Sequence, residues 1–122
     1  MLIKKELVDK IGYLPEEYFM YYEDVDYCTK AIKNNFKIGV CYNSVIYHKE
    51  SASSGGDGNP FAIEWNTRNR MIFIKKYKCK GILTKIFFYI TRIIVGIKYL
   101  ITGKKQKFIA LYKGIKEGKK YW

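Results

Sequence analysis

Three carboxylates stand within four positions in the segment Phe19-Met20-Tyr21-Tyr22-Glu23-Asp24-Val25-Asp26, with aromatic residues on their amino-terminal side. Acids this close repel one another unless a proton, a cation or hydrogen bonds compensate. On a helix Glu23 and Asp26 share a face and Asp24 projects elsewhere, because residues three apart are neighbours and adjacent ones are not. That geometry lets one carboxylate work as a general base while another is tied up structurally. The plainer alternative is an acidic first turn sitting at the positive end of a helix. His48 is the single histidine. At the exit of a strand-like run it is a candidate metal ligand or phosphate contact, or else a partly buried structural residue. Cys28, Cys41 and Cys79 are odd in number and widely spaced. That pattern supports neither a disulfide framework nor a zinc site, and is expected of reduced cytosolic thiols packing as small hydrophobes.

The elements that must hold these residues follow from periodicity and turn chemistry. Apolar residues at 3, 7, 8 and 11 predict a helix over 3–11, ended by Gly12. Pro15-Glu16-Glu17 opens a second short segment, with acids near the positive helix end. A helix is expected over 23–34, closed by Asn34-Asn35 in a left-handed conformation. Lys37 to Cys41 and Ser44 to His48 read as two short strands around the Asn43-Ser44 turn. Ser51 to Asn59 is a loop by composition, without the GxxxxGK[ST] pattern of a phosphate-binding loop. Beyond it the chain reads as helix. Asn59-Pro60 caps a segment reaching Tyr77, Gly81 breaks the pattern, Ile82 to Thr102 is the most apolar stretch, and Gly103 ends it. Phe108 to Ile115 forms a last helix. The expected fold class is α/β, or α+β for a fragment, with one unit over 1–58 and a basic helical region over 59–122.

Charge divides the chain the same way. Residues 1–64 hold seven Lys and ten Asp or Glu, whereas residues 65–122 hold sixteen Lys or Arg and a single acid, Glu117. With a net charge of +12 the chain calls for a polyanionic partner: phosphates, nucleic acid or anionic lipid. A hydrophobic content of 48%, of which aromatic residues make 17% of the chain, excludes a disordered tail. No signal peptide is expected, because Lys4-Lys5-Glu6 follows Met1-Leu2-Ile3 at once. Over Ile82–Thr102, a step of about 100° per residue collects Ile82, Ile86, Ile90, Ile93, Ile97, Leu100 and Ile101 on an arc between about 60° and 160° from Lys85. Arg92 and Lys98 fall outside that arc. An amphipathic helix of this kind is expected to lie on an anionic membrane surface or pack on another domain rather than to span, with Lys85, Arg92 and Lys98 reaching the headgroups.

Six features in order carry a resemblance: Gly12, Phe19 to Asp26, Phe36-Lys37-Ile38, Val45-Ile46-Tyr47-His48, Ser51 to Gly56, and Arg68-Asn69. Together they resemble the acceptor-side half of family 2 inverting glycosyltransferases of the GT-A fold, most of all the rhamnosyltransferase-like branch that builds surface polysaccharides. The resemblance covers roughly residues 1–76. It implies that Asp24 is the base that deprotonates the acceptor hydroxyl, with Glu23 beside it positioning acceptor or base. It further implies substrate or diphosphate contacts at His48, Asp26, Ser53 and Ser54, with His48 a candidate metal ligand. Asp24-Val25-Asp26 spells D-x-D, but in that family the divalent metal, Mg or Mn, is held mainly by a D-x-D upstream, which this chain lacks. The partners implied are a nucleotide-sugar donor, a glycan or lipid-linked acceptor, an anionic membrane surface and a donor-binding half outside this chain. The place implied is the cytoplasm, peripheral at the inner face of the cell membrane. Lys30 stands where the family usually has Arg, which bears on any salt bridge from that position.

Two other functions compete. A basic nucleic-acid-binding module would suit the cationic second half, but it has no use for an acidic box beside its groove, and no zinc, helix-turn-helix or RRM pattern is present, so no nucleic-acid partner is expected. A membrane-surface anchor without catalysis would leave Glu23, Asp24 and His48 without purpose.

Overall fold

A computed structural model describes residues 1–47, 58–77 and 81–122. It divides into two compact units, Met1–His48 and Lys49–Trp122. The first holds α1 (Lys5–Ile11), a 3-10 turn (Glu16–Tyr18) and α2 (Glu23–Lys33). The second holds α3 (Pro60–Tyr77), α4 (Gly81–Ile101) and α5 (Lys105–Lys119).

In the first unit α1 is too short to persist alone, since isolated helices need roughly 12–15 residues. It is held by burying Leu7 against Tyr27 and Ala31 of α2, with Ile3, Ile11 and Phe36 around them. Gly12 ends α1 at φ 80°, ψ −170°, a region essentially restricted to glycine, and its N–H donates to the Val8 carbonyl. The Tyr27 hydroxyl then donates to the Gly12 carbonyl at 2.9 Å, tying that end to α2. At the far end of α2, Asn35 takes φ 65°. There the Phe36 N–H reaches the Ala31 carbonyl and the Asn35 N–H that of Ile32. This is the Schellman pattern, and Phe36 packs against the cluster of Leu7, Tyr27 and Ala31.

The second unit is built on α3 and α5. Asn59 caps α3, its side-chain oxygen accepting from the Ala62 N–H at 2.7 Å, and Pro60 occupies the first helical position. Gly114 and Gly118 of α5 face α3 so closely that a side chain at either would force a neighbour to shift. A Cβ on Gly114 would lie 2.5 Å from the Glu64 carbonyl oxygen, and one on Gly118 2.5 Å from the Met71 sulfur. α4 joins this pair through Gly96, against Phe108 and Leu111, and through Phe88, which packs with Met71, Ile74, Tyr89 and Trp122. Gly103 at φ 68° closes α4 in a second Schellman pattern, with the Lys104 N–H on the Tyr99 carbonyl.

The α/β expectation does not hold. The described residues form helices and connecting segments and contain no strand, so their architecture is all-α rather than half of a GT-A sheet fold. The Asn43-Ser44 turn does form, with the Ser44 N–H on the Cys41 carbonyl at 3.3 Å. The segments on either side of it do not pair; residues 37–47 are exposed throughout, Tyr47 fully so. Strand propensity expresses a fit to a pleated, half-buried surface, and a lone hairpin of a few residues is marginal in water. Apolar β-formers with no described neighbour to pair with therefore remain irregular, exposed chain.

Candidate active site

The chain reaches α2 through a sharp reversal. Phe19 has φ 60° and ψ −54°, and the Met20 N–H donates to the Tyr18 carbonyl at 2.7 Å, a γ-turn of the strained, positive-φ kind. Tyr21 and Tyr22 follow at φ 67° and 74°. Three aromatic residues held in the left-handed region cost on the order of 1–2 kcal/mol each, so the surrounding contacts must impose them. The reversal carries Tyr18 inward, where it is fully buried, and leaves Phe19 at the surface.

The three acids then part company. Asp26 is fully buried; it accepts from the Tyr18 hydroxyl at 3.2 Å and pairs with Lys30 at 3.6 Å, one turn along α2. Asp24 is exposed, with one carboxylate oxygen accepting from the Val25 N–H at 2.7 Å, a first-turn donor that has no partner within the helix. Glu23 is half-buried, and its Oε2 is shut off from solvent without a hydrogen-bond partner. A buried carboxylate oxygen in that state costs about 1–3 kcal/mol until a donor reaches it. The arrangement thus contains one anchored acid, one outward acid with an oxygen to spare, and one acid short of a donor. Lys30 makes the bond to Asp26 with an ammonium.

His48, Ser53 and Ser54 lie outside the described residues. Among those described, no group of three or more His, Cys, Asp or Glu side chains is placed to hold a metal ion. Cys28 and Cys41 are both free thiols, and Cys79 lies outside the described residues. A recess of about 620 Å³ between α1, α2 and the 36–46 segment is lined by Leu7, Tyr27, Ala31, Phe36 and Ile38, but by none of the three acids, so its chemistry is separate from theirs.

The cations of the second unit divide in a way that charge counting cannot show. Lys85 places its ammonium 4.8 Å from the centre of the Trp122 ring, and Arg92 lies 5.6 Å from that of Phe88. Both face the packed side of α4, while Lys98 is exposed. Arg68 lies 5.1 Å from the Trp65 ring and 5.0 Å from that of Tyr121, and donates to the Tyr121 hydroxyl and to Asn69. Sequence reasoning missed Tyr18, the partner of Asp26, and the Trp65–Arg68–Tyr121 stack. The second joins residues 53 apart and had no local signal. For the first, the one clue was an aromatic eight residues before an acid.

Over 112 residues the chain is 27% identical to the low-salt glycan biosynthesis hexosyltransferase Agl10 of Haloferax volcanii. The match covers 90% of this chain and 36% of that protein, so the chain spans about a third of the length of the curated relative it matches. No protein-family model and no solved structure matches. The likeness supports a relationship to glycosyltransferases at that coarse level.

Proposed function

We propose that this chain is the acceptor-side part of a family 2, inverting glycosyltransferase of the rhamnosyl- or hexosyltransferase type. Its substrates are a nucleotide-sugar donor and a hydroxyl of a glycan acceptor, lipid-linked in surface polysaccharide synthesis. Asp24 takes the proton of the acceptor hydroxyl, the freed oxygen attacks the anomeric carbon, and the nucleoside diphosphate leaves from the opposite face. Glu23 accepts a hydrogen bond from the acceptor and orients it. Asp26 keeps the turn in shape and takes no part in proton transfer. The divalent metal implied by the resemblance finds no fitting donor set among the described residues, since Asp26 of the local D-x-D is buried against Tyr18 and Lys30. It belongs, in this reading, to residues outside this chain.

The observation that carries the reading is the separation of roles at the head of α2. Asp26 is anchored in the interior, while the exposed Asp24 has no described partner for its second oxygen. The relationship to a hexosyltransferase supports it from outside the geometry. The test is Asp24→Asn in a complete enzyme that includes this chain. The substitution keeps shape and removes only the basic oxygen. Turnover should fall by 100-fold or more, on the order expected of a lost general base, with nucleotide-sugar binding unchanged. Undiminished kcat in Asp24→Asn refutes the assignment.

A further inference from the structure

The face of α4 that the helical wheel marks as apolar is turned away from α3 and α5. Ten large apolar side chains between Ile82 and Ile101 are about half exposed or more, Ile86, Ile90, Ile93 and Ile97 among them. A helix of this length runs for about 30 Å, and the exposed face continues from one end to the other. Scattered exposed apolar residues are ordinary, but a contiguous stripe of this size marks an interaction surface. Only Phe88 and Gly96 of α4 are buried.

Three further observations say what covers it. First, no described helix is long and apolar enough to cross a membrane. Second, Lys85 and Arg92 are engaged with rings on the packed side, so the apolar stripe itself carries no charge that would resist an apolar medium. Third, where the stripe ends at Ile97, Leu100 and Ile101, the charged residues next to it along the chain are Lys98, Lys104 and Lys105, all exposed, and no acid occurs between residues 65 and 116. A second copy of this chain docking there would set these lysines against their own kind. A sheet of phosphates over hydrocarbon satisfies both the stripe and its cationic end.

We propose that α4 lies in the interface of an anionic lipid bilayer, its Ile82–Ile101 stripe among the upper acyl chains and Lys98, Lys104 and Lys105 on headgroup phosphates. α3 and α5 remain on the water side, held to α4 through Gly96 and Phe88. This docking does not depend on sugar transfer and stands or falls separately from it. Amphipathic helices bind in this way by combining buried apolar area with attraction to anionic lipid.

The experiment is vesicle flotation of this chain with phosphatidylcholine alone and with phosphatidylcholine containing about one-third phosphatidylglycerol. Binding is expected to the anionic vesicles only, and it should weaken steadily as salt rises past the range where surface charges are screened. Lys98→Gln, Lys104→Gln and Lys105→Gln should each weaken it about fivefold, and together roughly a hundredfold. The pair Ile90→Gln with Ile93→Gln, neutral and helix-compatible, should abolish it, with far-ultraviolet circular dichroism checking that the helices persist. The salt titration of the unmodified chain decides independently of any variant. The proposal is overturned by salt-insensitive binding to neutral vesicles, or by full binding of the Ile90→Gln, Ile93→Gln chain. It is equally overturned by a lipid-free dimer that those substitutions dissolve, or by no binding to either vesicle.

Discussion

Asp24 and Asp26 are two positions apart in sequence, yet one meets water and the other none. Spacing alone sets Asp24 off the face that Glu23 and Asp26 share, because residues three apart are neighbours on a helix and adjacent ones are not. It leaves open which of them is buried. What it could not foresee was the agent. Tyr18 reaches Asp26 only because Phe19, Tyr21 and Tyr22 adopt positive φ, and none of them is a glycine that would signal such a turn. Tyr18→Phe deletes the hydroxyl and keeps the ring, so the first unit should lose about 1 kcal/mol of stability, the net worth of one hydrogen bond. Urea unfolding followed at a first-unit probe reads this directly, and an unchanged midpoint means that Tyr18 contributes by its ring alone. His48, Ser53 and Ser54, expected on the strength of the resemblance, fall outside the described residues and gain no geometry here.

At the scale of elements, helix ends marked by a glycine or an asparagine proved the easiest to read, whereas α5, expected over 108–115, runs from Lys105 to Lys119. Gly12, Asn35, Asn59 and Gly103 stop or start helices where short-range chemistry says they should, because a cap depends on a few neighbouring atoms. Asn59→Ala should cost about 1 kcal/mol by releasing the Ala62 N–H, measured as a lowered melting temperature of the second unit. The two strands were misread for the opposite reason. Pairing is a property of two segments, and Val40 or Ile46 cannot report whether a neighbour exists. Gly114 and Gly118 were passed over, although they set the distance between α5 and α3. Gly→Ala inside a helix ordinarily gains up to about 1 kcal/mol. Here the sign should reverse at Gly114, where the new methyl meets the Glu64 backbone and a loss of about 2–3 kcal/mol is expected. At Gly118 it meets the bendable Met71 side chain, so Gly118→Ala should cost less. Equal losses in thermal unfolding would show that α5 simply slides to make room.

For the molecule as a whole, segregated charge is the dominant fact. Residues 65–122 carry sixteen cations and one acid. That acid, Glu117, has its carboxyl held below the usual range by a hydrogen bond from Lys120. The pair is solvent-exposed, and such pairs add little to stability. Most of the lysines repel one another across open solvent, an effect that acts over about 10 Å at 0.1 M ionic strength. The melting temperature of the second unit should therefore climb as salt is raised from about 0.02 M to 0.3 M, contrary to a fold held by surface ion pairs. A fall over that range would mean that ion pairs outweigh the repulsion. The amphipathic pattern of α4 was legible from its isoleucines. The wheel sets Arg92 one turn after Phe88, but it could not tell that Lys85 would turn onto Trp122, whose position depends on how α4 docks.

The same docking leaves an optical signature in the native chain. Phe88, Tyr89 and Trp122 are locked at ring separations of 5.6–5.9 Å and fixed mutual angles. Chromophores frozen in such an asymmetric array give structured near-ultraviolet circular dichroism, and the Lys85 charge above the indole shifts its emission. Trp65, the other indole, sits in a separate seat beside Arg68. The dichroism of the Trp122 array can therefore follow α4 leaving its neighbours, with no label added, while the helices themselves stay intact.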